Sequence, residues 1–509
     1  MRPVLLFLFT AFCAYSQHWT MFHGDPQRTG WARGEQTISS NSVKQMKLGW
    51  SVKLDVEPRH LNSLTVPVVV RGVPAPGGFR DIVLVATADD RVYALDADSG
   101  KVFWKKQMDV QTKAKNAYGW LCPGALNATP VMDRGSRTVY LIASDGKLHT
   151  FNYVNGEETK PAIQFVPPFS KNWSLNLVDG VLYTTISQGC EGAKSGVYAL
   201  DTKTPERTIT KFLSTTAGGA GIWGRAGAAI TSKGLVVVET GDGSYDAAAG
   251  KYPDSFLALK PGTLELSDYY TPSNRAWITK KDLDMGNISP IVFPFKGKEL
   301  IAGSGKEGVI YLLDAEKLGG ADHRTPLYRS PLFTNEEVDF AARGFWGALS
   351  TWEDADGTRW LLAPAYGPPT ATTKFPHLNG ETPHGSIMAF KVVETGGKPA
   401  LEPAWASRDL AMPEPAIIAN GVVFALANGE DASQVDSSGR LLTSKERMDL
   451  KKGNAVLYAL DARTGKTLWS SGDAMKSFTH FSGIALSEGR VFTSTFDGTV
   501  YGFTMPEER

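Results

Sequence analysis

The chain has 509 residues, 42% of them hydrophobic and 21% charged, with 53 Lys plus Arg balancing 53 Asp plus Glu. That balance leaves no basic footprint, so neither nucleic acid nor an anionic membrane surface is an expected partner. The length exceeds the roughly 300 residues at which one ordinary core stops growing, which calls for several cores or a repeat architecture.

The chain opens with Arg2 and an apolar run over residues 4–14, too short to span a bilayer, followed by Ala14-Tyr15-Ser16. This small-x-small pattern reads as a signal peptide over 1–16, so the protein is expected to be exported, periplasmic or secreted, and not membrane-spanning. Removing it leaves two cysteines, Cys122 and Cys190. An oxidising compartment invites a disulfide between them; two buried thiols are the alternative.

A five-residue phrase then recurs eight times. Its clearest copies are Val92-Tyr93-Ala94-Leu95-Asp96, Val197-Tyr198-Ala199-Leu200-Asp201 and Leu457-Tyr458-Ala459-Leu460-Asp461; weaker copies end at 152, 260, 314, 391 and 504. The copies are 43 to 77 residues apart, the spacing of propeller blades. Two of them continue through a Gly-Lys turn into a strand ending in Trp104 or Trp469. The expected fold is all-β: an eight-bladed propeller of four-stranded antiparallel blades filling 17–509. Blades 1 to 8 are placed at about 64–107, 127–166, 174–213, 225–270, 288–329, 347–407, 413–470 and 482–504. Blade 8 lacks its outermost strand, and the orphan segment 48–53, containing Trp50, is expected to supply it and close the ring. Loops 366–385 and 428–453 are long connections between the second and third strands (B and C), and both should cover one face of the ring.

The Y-A-L-D-x-x-x-G-K-x-x-W phrase resembles the repeat of the quinoprotein alcohol dehydrogenase-like propellers, which hold pyrroloquinoline quinone (PQQ). The resemblance implies a site. Gly189-Cys190-Glu191-Gly192 is similar to the loop whose glutamate binds calcium, and Thr240-Gly241-Asp242 stands where the family has Thr-Gly-Asn, so Glu191 and Asp242 are the implied metal ligands. Asp284, in Lys281-Asp282-Leu283-Asp284, matches the catalytic aspartate. Lys306, in Gly305-Lys306-Glu307-Gly308, matches the cation that bonds the quinone oxygens. Trp223 matches the tryptophan floor beneath the cofactor, and Trp346, after Phe345, lies near the quinone. Cys122 stands near the family's vicinal cysteine pair, whose strained ring caps PQQ, and is by that resemblance an implied cofactor-binding residue. Here one member is missing, so Cys122 is expected to bond Cys190 instead.

The strand order gives an independent argument. Glu191, Asp242 and Lys306 fall in B–C loops, whereas Cys122, Trp223, Asp284 and Trp346 fall in loops joining one blade's last strand (D) to the next blade's first (A). Both kinds of loop emerge on one face, so every candidate should converge there. The resemblance thus implies a PQQ- and Ca²⁺-dependent dehydrogenase oxidising an alcohol or sugar hydroxyl. Electrons would pass to a separate acceptor, since no C-x-x-C-H haem motif is present. The alternative is a non-catalytic propeller binding a protein or glycan partner in the cell envelope. The eight histidines show no metal-ligand spacing that would favour a hydrolase.

Overall fold

The computed structural model describes residues 18–75, 77–115, 119–431 and 433–506; the expected signal peptide lies outside them. Eight antiparallel blades form a ring. Blade 1 comprises Val68–Ala75, Gly78–Ala86, Arg91–Asp96 and Val102–Gln107 from the axis outward. In blade 8, Ala485–Ser487, Arg490–Ser494 and Thr499–Thr504 are completed outside by Lys47–Lys53, with Lys47 opposite Thr504 and Lys53 opposite Thr499. The orphan strand therefore closes the ring as expected, and the outer edge of Thr499–Thr504 is paired.

The phrase itself explains the packing. Along Arg91–Asp96, Val92 and Ala94 join the core shared with blade 2, whereas Tyr93 and Leu95 join the core shared with blades 7 and 8. Alternate residues serve two cores, so both faces are apolar and the usual apolar–polar alternation is absent. The Asp ending the phrase shapes the next turn: Asp96 Oδ1 accepts the Ser99 N–H at 2.8 Å, and Asp461 Oδ1 accepts that of Thr464 at 2.9 Å. The turn glycine then lies under a tryptophan of the preceding blade. A Cβ on Gly100 would stand 2.5 Å from the Trp50 ring, and one on Gly156 would stand 2.7 Å from that of Trp104. The indoles are fixed by donating to the residue just past the phrase, Trp50 Nε1 to the Ala97 carbonyl at 2.9 Å and Trp104 Nε1 to that of Tyr153 at 3.0 Å. Glycine and tryptophan in the repeat thus lock blade to blade.

The segment before the closing strand has no counterpart in the repeat. It runs around the axis against the innermost strands, meeting blade 1 at Trp19–Val69 and blade 2 through the Met132 N–H to the Thr20 carbonyl. Further on, Pro26, Gln27, Thr29 and Gly30 carbonyls accept from Ile230, Val292, Thr351 and Ile418, in blades 4, 5, 6 and 7. Fully buried Arg28 donates to the Phe22, Leu175 and Ala228 carbonyls at 2.8, 2.9 and 3.2 Å. Phe22 packs with Val66, Ala226 and Ala348, which come from the starts of three different blades. Among the described residues no helix is long and apolar enough to cross a membrane.

Candidate functional site

On the face built by the D–A and B–C loops lies a cavity of about 310 Å³. Trp223, Asp284, Lys306 and Trp346 all line it, each from a different loop. Main-chain contacts draw these loops together. The Trp223 N–H donates to the Gly286 carbonyl at 2.9 Å, that of Lys306 to the Asp284 carbonyl at 3.1 Å, and that of Phe345 to the Gly305 carbonyl at 3.2 Å. The approach is close enough to need glycine. A Cβ on Gly344, whose φ is +92°, would stand 2.3 Å from the Lys306 carbonyl oxygen.

At this end the chemistry centres on a buried ion pair. Lys306 Nζ donates to Asp284 Oδ2 at 2.8 Å and to the Asp282 carbonyl at 3.2 Å, while Asp284 Oδ1 accepts the Asp242 N–H at 3.1 Å. The same ammonium stands 5.3 Å from the Trp223 ring centre and 5.4 Å from that of Trp346, so cation–π attraction helps to hold it. Trp223 meets Trp346 edge-on at 5.8 Å, and Trp346 stacks on Tyr366 at 5.0 Å.

The aromatic wall continues to a second pole. The Tyr366 hydroxyl accepts from Arg225 Nη2 at 3.3 Å, and the Arg225 guanidinium lies 4.1 Å from the Phe481 ring while pairing with buried Glu414. Phe481 meets His480 edge-on at 4.2 Å, and His480 lies 4.0 Å from Trp120. Lys171 Nζ donates to the Trp120 carbonyl at 2.7 Å, and Arg447 sits 4.3 Å over the Trp120 ring. His480 Nδ1 bonds Glu430 Oε2. Burial disfavours charge on both partners: it pushes Glu430 up to about 8 and holds His480 well below the usual histidine range. Burial, with Arg447 nearby, also lowers the Lys171 amine to about 7.

Cys122 and Cys190 are joined by a disulfide, Cα to Cα 5.4 Å, tying the D–A loop before blade 2 to the B–C loop of blade 3. Glu191 follows in a short turn, with left-handed φ of 51°. Asp242 lies beside Asp284 with its side chain open on one side, and desolvation on the other, together with the Asp284 carboxylate, pushes its acid up to about 6. Neither Glu191 nor Asp242 lines the cavity, and among the described residues no three His, Cys, Asp or Glu side chains form a group that could hold a metal ion.

Sequence reasoning passed over Lys171, Arg225, Glu430, Arg447 and His480. The signal was available: Lys171, Arg225 and His480 lie in D–A loops, and Glu430 and Arg447 in the B–C loop of blade 7. Like the predicted residues, all five stand on loops that open onto the common face.

Comparisons with known proteins agree with this architecture. A family model described as outer membrane protein assembly factor BamB matches residues 32–211. Among solved structures, quinohemoprotein alcohol dehydrogenase from Comamonas testosteroni is 16% identical with a TM-score of 0.62, over 97% of this chain and 82% of that one. A quinohemoprotein alcohol dehydrogenase from Pseudomonas putida is also 16% identical, with a TM-score of 0.61 over the same shares. A europium-containing methanol dehydrogenase is 15% identical with a TM-score of 0.60, covering 96% of this chain and 98% of that one. No curated protein sequence matches the chain. The chain is an eight-bladed β-propeller. At these identities the likeness establishes the fold, and activity must be argued from the cavity.

Proposed function

We propose that the protein is an exported quinoprotein-like dehydrogenase that oxidises an alcohol or sugar hydroxyl in this cavity. The observation that carries the reading is the convergence of Trp223, Asp284, Lys306 and Trp346, from four separate loops, on one aromatic-walled space. The residues present fit a flat quinone: Trp223 and Trp346 offer ring surface, and Lys306 offers a fixed cation. When bound, PQQ would supply the two-electron acceptor. Asp284 Oδ2 would take the proton of the substrate hydroxyl, and its hydrogen bonds from Lys306 and the Asp242 N–H fix its orientation. Lys306 would in turn stabilise negative charge that develops beside it. Electrons would leave to a separate acceptor, and the disulfide suits an oxidising compartment such as the periplasm or the exterior.

Calcium fits the donor set less well. Asp284 is already paired with Lys306, and among the described residues Glu191 and Asp242 form no three-ligand group with a neighbour, so the residues present do not fit the ion. A second reading, a binding scaffold in envelope assembly, is favoured by the family model matching residues 32–211. Calorimetric titration of the purified protein with PQQ, with and without Ca²⁺, decides between them. One-to-one binding that Trp223→Ala abolishes supports the dehydrogenase, and a calcium requirement lost in Glu191→Gln would assign the ligands. No binding at high micromolar PQQ would sink the enzyme reading and favour the scaffold.

A further inference from the structure

The second pole of the cavity carries cations without an ion pair and N–H groups without an acceptor among the described residues. Lys171 is 5% exposed, yet among the described residues it makes no ion pair and bonds only the Trp120 carbonyl. Half-buried Arg447 likewise has no carboxylate within ion-pair distance among the described residues, Glu430 and Asp431 acting on it only at longer range, and its Nε lacks an acceptor. Trp120 Nε1 and His480 Nε2 are also buried without hydrogen-bond partners among the described residues. All four residues line the same cavity.

Buried polar groups are nearly always paired, and a buried cation left without a counter-charge is costly. Isolated lapses occur in many proteins; four adjoining ones around one Trp ring need a common explanation. The other buried cations here show the contrast. Arg28 has three carbonyl acceptors, Arg225 has Glu414, and Lys306 has Asp284. The His480 ring is held by Glu430 at Nδ1. When Glu430, its acid raised by burial, is protonated and donates to Nδ1, the imidazole proton sits on Nε2 and makes it a donor.

We infer that Lys171, Arg447, Trp120 and His480 form an oxyanion subsite that takes the carboxylate of a small molecule bound in this cavity. The inference rests on the reading of the cavity as a ligand site. Two cations and two N–H donors match the several lone pairs of one carboxylate. The subsite is built from blades far apart in sequence. Lys171 comes from the entry to blade 3 and His480 from the entry to blade 8, while Arg447 comes from the short helix Ser444–Asp449 in the 428–453 loop. That loop, an insertion in the blade pattern, thereby gains a role in choosing the ligand. The carboxylate has two available sources: PQQ, which bears carboxylates of its own, or an acidic substrate such as a uronic acid.

Paired ligands test this by calorimetry on the purified protein: PQQ against its trimethyl ester, and D-glucuronate against D-glucose. At least one acid is expected to bind about tenfold or more tightly than its uncharged partner, the margin of a hydrogen bond to a charged group. Arg447→Gln and Lys171→Met should each erase most of that margin. Discrimination within the PQQ pair assigns the subsite to the cofactor, and discrimination within the sugar pair assigns it to the substrate. Equal binding of PQQ and its ester, without sugar discrimination, would overturn the subsite while leaving the dehydrogenase reading intact. Binding of glucuronate without PQQ would do the reverse. No binding by either acid at millimolar concentration, or an unchanged margin in both variants, also overturns it. Thermal unfolding guards against a folding artefact, since Lys171→Met is expected to melt no lower than the parent without ligand. A melting point lowered as far as by Lys306→Met would mark Lys171 as structural and end the proposal.

Discussion

Two ends of one cavity use the same residue types in opposite states. At one end Lys306 lies 2.8 Å from Asp284, with Trp223 and Trp346 flanking the ammonium. At the other, Lys171 and Arg447 flank Trp120 with no carboxylate in reach among the described residues. The first end is internally neutralised, and its geometry is fixed before any ligand arrives. The second has no ion pair for either Lys171 or Arg447, only longer-range attraction between Arg447 and the Glu430 and Asp431 carboxyls, a cost in stability that a bound anion can return as affinity. One end therefore suits proton handling and the other recognition.

The largest expected effect separates the two lysines. Lys306→Met leaves buried Asp284 without its partner and should cost about 3–5 kcal/mol in urea unfolding. Asp284→Asn in the same chain should recover much of that loss, whereas Lys171→Met alone should cost nothing. Equal losses at both lysines would break the comparison. Next in size, replacing both Cys122 and Cys190 with Ser removes a crosslink across 68 residues and should cost about 2–4 kcal/mol. Because Leu121 adjoins the bridge and lines the cavity, ligand affinity at the Trp120 end should weaken in parallel.

A pH series sharpens the contrast further. The folded Lys171 amine titrates near 7, well below the unfolded value near 10.4, so between them the unfolded chain binds more protons. The penalty is therefore complete below about 7 and fades as pH rises toward 10, by at most about 1.4 kcal/mol per pH unit. The stability advantage of Lys171→Met over the parent should follow that course, largest at pH 6 and small at pH 10. Buried acids raised in the fold, such as Asp254 at about 7, titrate lower and cancel in the difference. The smallest effect is local. Thr443 and Glu446 form a capping box on the helix carrying Arg447, and Thr443→Ala should cost that helix about 1 kcal/mol. Proteolysis within 428–453 should quicken and carboxylate affinity fall, with the Lys306 end unaffected.

Much of this molecule is written locally. The repeat phrase names its strand, its Asp shapes the turn, and its Gly admits the neighbouring Trp, so blade count follows from residues close in sequence, while Trp50 marks Lys47–Lys53 as the strand that closes the ring against the distant Thr499–Thr504. The common face of the D–A and B–C loops follows from strand order, which is how Trp223, Asp284, Lys306, Trp346 and the Cys122–Cys190 bridge could be brought together on paper. The course of residues 19–32 along the inner strands was not legible, because that segment carries no repeat and its partners are main-chain groups of seven blades. Nor could the sequence tell a paired lysine from an unpaired one. Lys306 and Lys171 are both loop lysines with aromatic residues nearby; what separates them is which carboxylates the closed ring carries to within a few ångströms. Charge compensation depends on distance in space, and in a propeller the blades meeting across the axis are far apart along the chain.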